Sequence, residues 1–212
     1  TVVLLGFLLA GVMADFKESE KIPTEIASAL RNIYEEGLYV KELKKEFDLG
    51  KLRSNIHRIV TSFLNEIGNG NRVEDTLKER TQLNDSFLEM DRLNMPAPYL
   101  ARLKNEQSTL RRTILRANYI KANSFVVVAY IVAMVASAIM LIFLLLLKTE
   151  PAVEGIAVLF AIAFLLIYLL LLIKDMDDPF EFVEGGTPAF SADVNPSQLY
   201  DLKRELELTE KH

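Results

Sequence analysis

Apolar residues along the chain are gathered into three long runs, and the segments between the runs repeat apolar positions at helical spacing among charges. Residues 125–147 read FVVVAYIVAMVASAIMLIFLLLL. These 23 residues carry no charge. As a helix they reach about 34 Å at about 1.5 Å per residue, enough to cross a hydrocarbon core of about 30 Å. Residues 156–173 form a second run, IAVLFAIAFLLIYLLLLI, which spans if its helix extends toward Pro151. The polar link at residues 148–155 makes the pair a transmembrane hairpin. Residues 1–14 form the third run, too short to cross alone and without the basic start and cleavage site of a signal peptide. They are expected to be the inner half of a truncated span belonging to a longer protein, and parity then asks for one further span upstream.

Residues 15–124 predict four amphipathic helices. Ile22, Ile26, Leu30, Ile33 and Leu38 mark the first, with Pro23 in its opening turn. Leu52, Ile56, Ile59, Val60, Phe63, Leu64 and Ile67 mark the second, which Gly68-Asn-Gly-Asn71 ends. A third stretch over 73–93 carries Val73, Leu77, Phe87, Leu88 and Met90. Pro96-Ala-Pro98 opens a fourth, bearing Leu100, Leu103, Leu110, Ile114 and Ile120. No turn signal separates this helix from the span at Phe125, so it is expected to run into the membrane as a stalk. Residues 174–212 divide into an acidic loop from Asp175 to Phe182, a Gly185-Gly186 turn and a short helix. Asn195-Pro196-Ser197 starts that helix, and Leu199, Leu202, Leu206 and Leu208 suit it for docking on another helix. The fold class expected is all-α, an integral membrane helical protein with long cytoplasmic helical stalks.

Charge sets the orientation. Arg102, Lys104, Arg111, Arg112, Arg116 and Lys121 precede the span at 125–147 with only Glu106 against them, whereas the hairpin link carries Lys148 alone. Basic residues near span ends stay on the cytoplasmic side. The large helical region and the carboxyl-terminal tail are therefore expected to be cytoplasmic in a multi-pass protein. The net charge is −5 and both signs are mixed along the polar segments, which gives no basic surface for a nucleic-acid backbone. The lipid bilayer is the partner expected. The chain has no cysteine, which excludes thiolate metal sites and cysteine nucleophiles.

Two local patterns carry a family resemblance. Leu4-Leu-Gly-Phe7 lies in the first apolar run and is followed by Phe16, Glu20, Glu25, Leu30 and Tyr34. After the last run comes Asp175-Met-Asp177-Asp178-Pro179-Phe180, then Val194-Asn-Pro196 and Leu199. With the order and spacing of the spans, these resemble the bestrophin-like domain family of prokaryotic membrane proteins over nearly the whole chain. The chain departs from the family in having no glycine after the Pro-Phe pair until Gly185, and in not meeting the family's aromatic preference near Met13. The resemblance implies a homo-oligomeric ion channel, anion-conducting as in bestrophins, in the inner membrane of a prokaryotic cell. The alternative from another class is a non-catalytic accessory or scaffold subunit bound to other membrane subunits.

Under the channel reading, the first helix lines the pore. Gly6 and Gly11 admit close neighbours, and Phe7, Ala10 and Ala14 recur at helical spacing as an apolar constriction that gates by dewetting. Packing within a bundle or facing lipid is the competing reading. Asp175, Asp177, Asp178, Glu181 and Glu184 supply the oxygens a calcium ion takes. Their spacing lacks the regularity and turn glycine of a calcium loop, which favours a solvated acidic turn. Arg111, Arg112 and Arg116 read as contacts to anionic lipid, or as an anion-attracting vestibule. His57 reads as a surface or partly packed histidine, and His212 is terminal. No nucleophile turn, phosphate loop or charged group inside a complete span points to an enzyme, and no cofactor is expected.

Overall fold

The computed structural model describes residues 2–69, 72–122, 127–146, 152–177, 179–180, 182–183, 187–188 and 194–208. These residues form the helices α1 (Val2–Ser19), α2 (Ile22–Leu43), α3 (Leu49–Asn69), α4 (Val73–Thr81), α5 (Leu83–Arg92), α6 (Ala97–Ala122), α7 (Val127–Leu146), α8 (Ala152–Asp177) and α9 (Ser197–Leu208). Two short strands, β1 (Phe182–Val183) and β2 (Thr187–Pro188), pair antiparallel on either side of Gly185-Gly186, which lies outside the described residues. The fold is all-α, as the pattern predicts. It divides into two compact units, residues 1–18 with 123–179 and residues 19–122 with 180–212.

The first unit holds α1, α7 and α8. Ala129–Leu146 and Val153–Asp177 are long and apolar enough to cross a bilayer, and only 11% of either stretch is buried. Such helices are not the core of a water-soluble protein. Phe143, Leu145, Phe160 and Phe164 stand exposed, and each costs on the order of 1.5–3 kcal/mol in water relative to an apolar surrounding. The bilayer supplies that surrounding, and the helical ladder satisfies the backbone within it. α7 and α8 pack as a hairpin, and small Ala133 and Ser137, four residues apart, are the buried positions of α7.

The second unit is a helical bundle of α2, α3, α4, α5, α6 and α9. Pro23 occupies the first turn of α2, where its missing N–H is not needed. The helix then buries Ile26, Leu30 and Ile33. Gly37 sits where a Cβ would lie 2.3 Å from Leu52 Cδ2, so glycine lets α2 and α3 approach there. Asp48 caps α3 by accepting a bond from the Lys51 N–H at 2.9 Å. All seven apolar positions predicted for α3 are buried. Asn94, with φ of 59°, ends α5 in a left-handed turn in which the Met95 N–H bonds back to the Met90 carbonyl at 3.1 Å.

The structure departs from the pattern in particular places. Residues 73–93 form two helices rather than one. At the junction the ladder tightens, with the Gln82 N–H on the Glu79 carbonyl at 3.1 Å. The Gln82 carbonyl accepts from the Asp85 N–H at 3.1 Å and also from Asn55 Nδ2 of α3 at 3.3 Å, and Arg58 Nη2 donates to Gln82 Oε1 at 2.6 Å. Leu38, Leu88 and Leu208 are exposed, being displaced from the buried stripes of their helices. The expected continuity of α6 into α7 falls on residues 123–126, outside the described residues.

The tail returns to the bundle. Asn195 Oδ1 accepts the Ser197 N–H at 2.9 Å to start α9, which buries Leu199, Leu202 and Leu206 against α2 and α3. Glu205 pairs with Arg31 of α2 at 3.5 Å, and Glu207 meets His57 of α3 at 3.1 Å. Phe180 and Val194 join the same core.

Candidate functional site

At about 100° per residue, positions 3, 6, 7, 10, 13 and 14 of α1 fall on one face of about 120°. Val3, Gly6, Phe7, Ala10, Met13 and Ala14 are all exposed there, Phe7 at 75%. The opposite face carries Leu5, Leu8 and Val12, all buried. The four residues chosen from the sequence for the pore, Gly6, Phe7, Ala10 and Ala14, therefore share one surface. A Cβ at Gly6 would meet nothing within 4 Å, so among the described residues none uses the close approach that the glycine permits. The face ends in charge, with Lys17 exposed one turn beyond Ala14.

The acidic motif is placed differently from its expectation. Asp175 and Asp177 lie in the last turn of α8 and not in a loop, because the helix extends past the apolar run to Asp177. Two positions on a helix are about 200° apart, so the two carboxylates diverge. Asp178, Glu181 and Glu184 lie outside the described residues, and among the described residues no three Asp, Glu or His side chains gather as metal ligands.

The basic motif is split by the same geometry. Arg112 and Arg116 are about 40° apart around α6, whereas Arg111 is turned at least about 100° from both. Arg112 Nη2 donates to Thr109 Oγ1 at 3.3 Å, and the Arg116 guanidinium lies 5.3 Å from the Tyr119 ring centre. Arg111 sits on the α6 face that carries Lys104 and Gln107. Lys121, counted from sequence among the basic residues that set orientation, donates to the Glu66 and Ile67 carbonyls at 2.8 and 2.6 Å. Its ammonium thus caps the carboxyl-terminal end of α3.

Glu66 itself escaped the sequence reading. It is buried, and the groups that favour its charge are the Thr76 hydroxyl and the Lys121 ammonium. Burial drives its pKa up to about 7 against both of them, with the help of Glu74 and Asp75. Its signal was available, since 52, 56, 59, 63 and 66 continue one seam in steps of four and three.

Two open clefts mark the second unit. One, of about 350 Å³ between α2 and α6, is lined by Asn32, Glu35, Glu36, Arg102, Leu103 and Glu106. Arg102 pairs there with Glu36, and Asn32 Nδ2 donates to Glu106 Oε1 at 2.9 Å. The other, of about 450 Å³ between α3 and α4, includes His57, Arg58, Asp75 and Glu79. Arg58 pairs there with Glu79 of α4, and His57 meets Glu207 of α9, which ties the cleft walls to helix packing.

No protein-family model and no curated protein matches the chain in sequence. Solved structures do match in fold. A point variant of a bacterial bestrophin homologue from Klebsiella pneumoniae superposes with a TM-score of 0.83 at 11% identity, covering 100% of this chain and 84% of that one. A second variant of a Klebsiella pneumoniae bestrophin homologue gives 0.80 at 11% identity over the same shares. A structure described as a membrane protein gives 0.83 at 10% identity over 97% of this chain and 81% of that one. The chain has the fold of these bacterial bestrophin homologues, a helical membrane-protein fold.

Proposed function

We propose, with the bestrophin fold as premise, that the chain is one subunit of a homo-oligomeric, non-enzymatic ion channel in the cell membrane of a prokaryote, with anions as the permeant class. The observation that supports this best is the exposed face of α1. Helix faces of Gly6, Phe7, Ala10 and Ala14, assembled in several copies around an axis, make a narrow apolar passage that water enters and leaves collectively. Gly6 leaves room for a neighbouring helix that none of the described residues supplies. The basic residues of α6 favour a cytoplasmic second unit and tail, and Arg112 and Arg116 then suit anionic headgroups.

The scaffold alternative loses one support, because the tail leucines Leu199, Leu202 and Leu206 are spent on α2 and α3 of the same chain. Native mass spectrometry in mild detergent, followed by anion flux from vesicles holding the purified chain, tests the proposal. A closed ring of identical copies that passes anions is the expected result. A single copy held by unrelated subunits, or a ring without flux, overturns it.

A further inference from the structure

Where α4 gives way to α5, both cross α6, and the crossing is tied by one amide. Gln107, 5% exposed, donates from Nε2 to the Arg80 carbonyl at 3.2 Å and to Asn84 Oδ1 at 3.1 Å. Arg80 Nη1 returns a bond to the Gln107 carbonyl at 3.3 Å. Lys104 Nζ donates to Asn84 Oδ1 and, at 3.3 Å, to Gln107 Oε1, and sits 5.0 Å from the Phe87 ring centre. Lys104, Gln107 and Arg111 stand three and four residues apart on one face of α6. Arg80 and Lys104 both bond to Gln107, and the Arg111 charge acts on Arg80.

No carboxylate answers them among the described residues. Glu79 pairs with Arg58 at 3.3 Å, Asp85 with Lys51 at 3.5 Å, and Glu106 accepts from Asn32 at 2.9 Å. Arg80 Nε is sealed from solvent without an acceptor. Burial and the Arg111 charge hold the Arg80 guanidinium below its ordinary pKa, and burial and the Arg80 charge do the same to the Lys104 ammonium. Like charges at this spacing repel, and an anion between them removes the repulsion. The forks of two arginines and the point charge of a lysine suit the oxygens of a phosphate group.

We propose that Arg80, Lys104 and Arg111, positioned by Gln107 and Asn84, form a binding site for a phosphate-bearing anion at the junction of α4, α5 and α6. The phosphate comes from a soluble anion or from a phospholipid headgroup. The site does not depend on ion conduction.

Inorganic phosphate titrated calorimetrically into the purified full chain in uncharged detergent tests it, with the thermal midpoint followed in parallel. The unsubstituted chain binds saturably and its midpoint rises with phosphate. The double variant Lys104→Met/Arg111→Gln binds at least about ten-fold more weakly, and Arg92→Gln changes affinity by less than about two-fold. Without phosphate the double variant melts no lower than the unsubstituted chain, because a repulsion has been removed. In phosphatidylglycerol vesicles, loss of phosphate binding relative to phosphatidylcholine vesicles identifies the headgroup as occupant, and persistence identifies a soluble anion; both uphold the site. Absence of saturable binding, equal affinity in the double variant, or an equal loss in Arg92→Gln overturns it.

Discussion

Glu66 carries the sharpest conflict between charge and surroundings at the scale of single residues, a buried carboxyl whose burial drives its pKa to about 7 against an ordinary 4.5. The raised value means that the folded chain holds this proton more tightly than the unfolded chain. The contribution of Glu66 to stability is therefore fully present below pH 4.5 and is lost as the pH rises through about 7. Glu66→Gln keeps the shape and removes the charge. Thermal unfolding should show the variant melting higher than the parent at pH 8, with the difference shrinking toward pH 4.5; a difference independent of pH contradicts the assignment. Glu66 was legible as a charge in an apolar seam. The cluster of Arg80, Lys104 and Arg111 was not, because it exists only once α4 crosses α6, and Arg111 in sequence belongs with Arg112 and Arg116.

Helices differ in how much of them the pattern foretells. The apolar stripe of α3 was legible, since it is long and periodic and defines which side is buried, although the buried Asn55 and Glu66 beside it were not read. The break at Gln82 carries no glycine or proline. It is made by Asn55 and Arg58 reaching from another helix, a tertiary cause invisible to local pattern. Leu38, Leu88 and Leu208 show the same limit, for a leucine displaced from its stripe reads like one within it. α9 shows tertiary docking succeeding as its leucine spacing foretold. Leu202 is 1% exposed in the core that α9 shares with α2 and α3. Leu202→Ala should destabilise the second unit by about 2–5 kcal/mol, read from denaturant unfolding, whereas Leu208→Ala at an exposed position should change it by less than about 0.5 kcal/mol. Equal effects from the two would mean that α9 does not dock through this face.

For the whole molecule, the fold is shared with solved structures at only 10–11% identity, while this chain's apolar runs, helix order and helix seams were legible in its own sequence. These are the features legible without any match in sequence, and they set the class of protein. The permeation pathway proposed for α1 is less legible, because exposed apolar residues on a membrane helix serve a pore, a neighbouring copy or lipid with the same side chains. The faces of α1 separate these roles. The chain has no cysteine, so one introduced thiol reports only its own position. The most direct measurement is anion flux from vesicles holding Ala10→Cys or Leu8→Cys, before and after a charged, membrane-impermeant thiol reagent. If the exposed face of α1 lines a water-filled passage, Ala10→Cys is modified and flux falls, while Leu8→Cys on the buried face is untouched. Flux that persists unchanged with an unmodified Ala10→Cys would place that face against lipid and contradict the account.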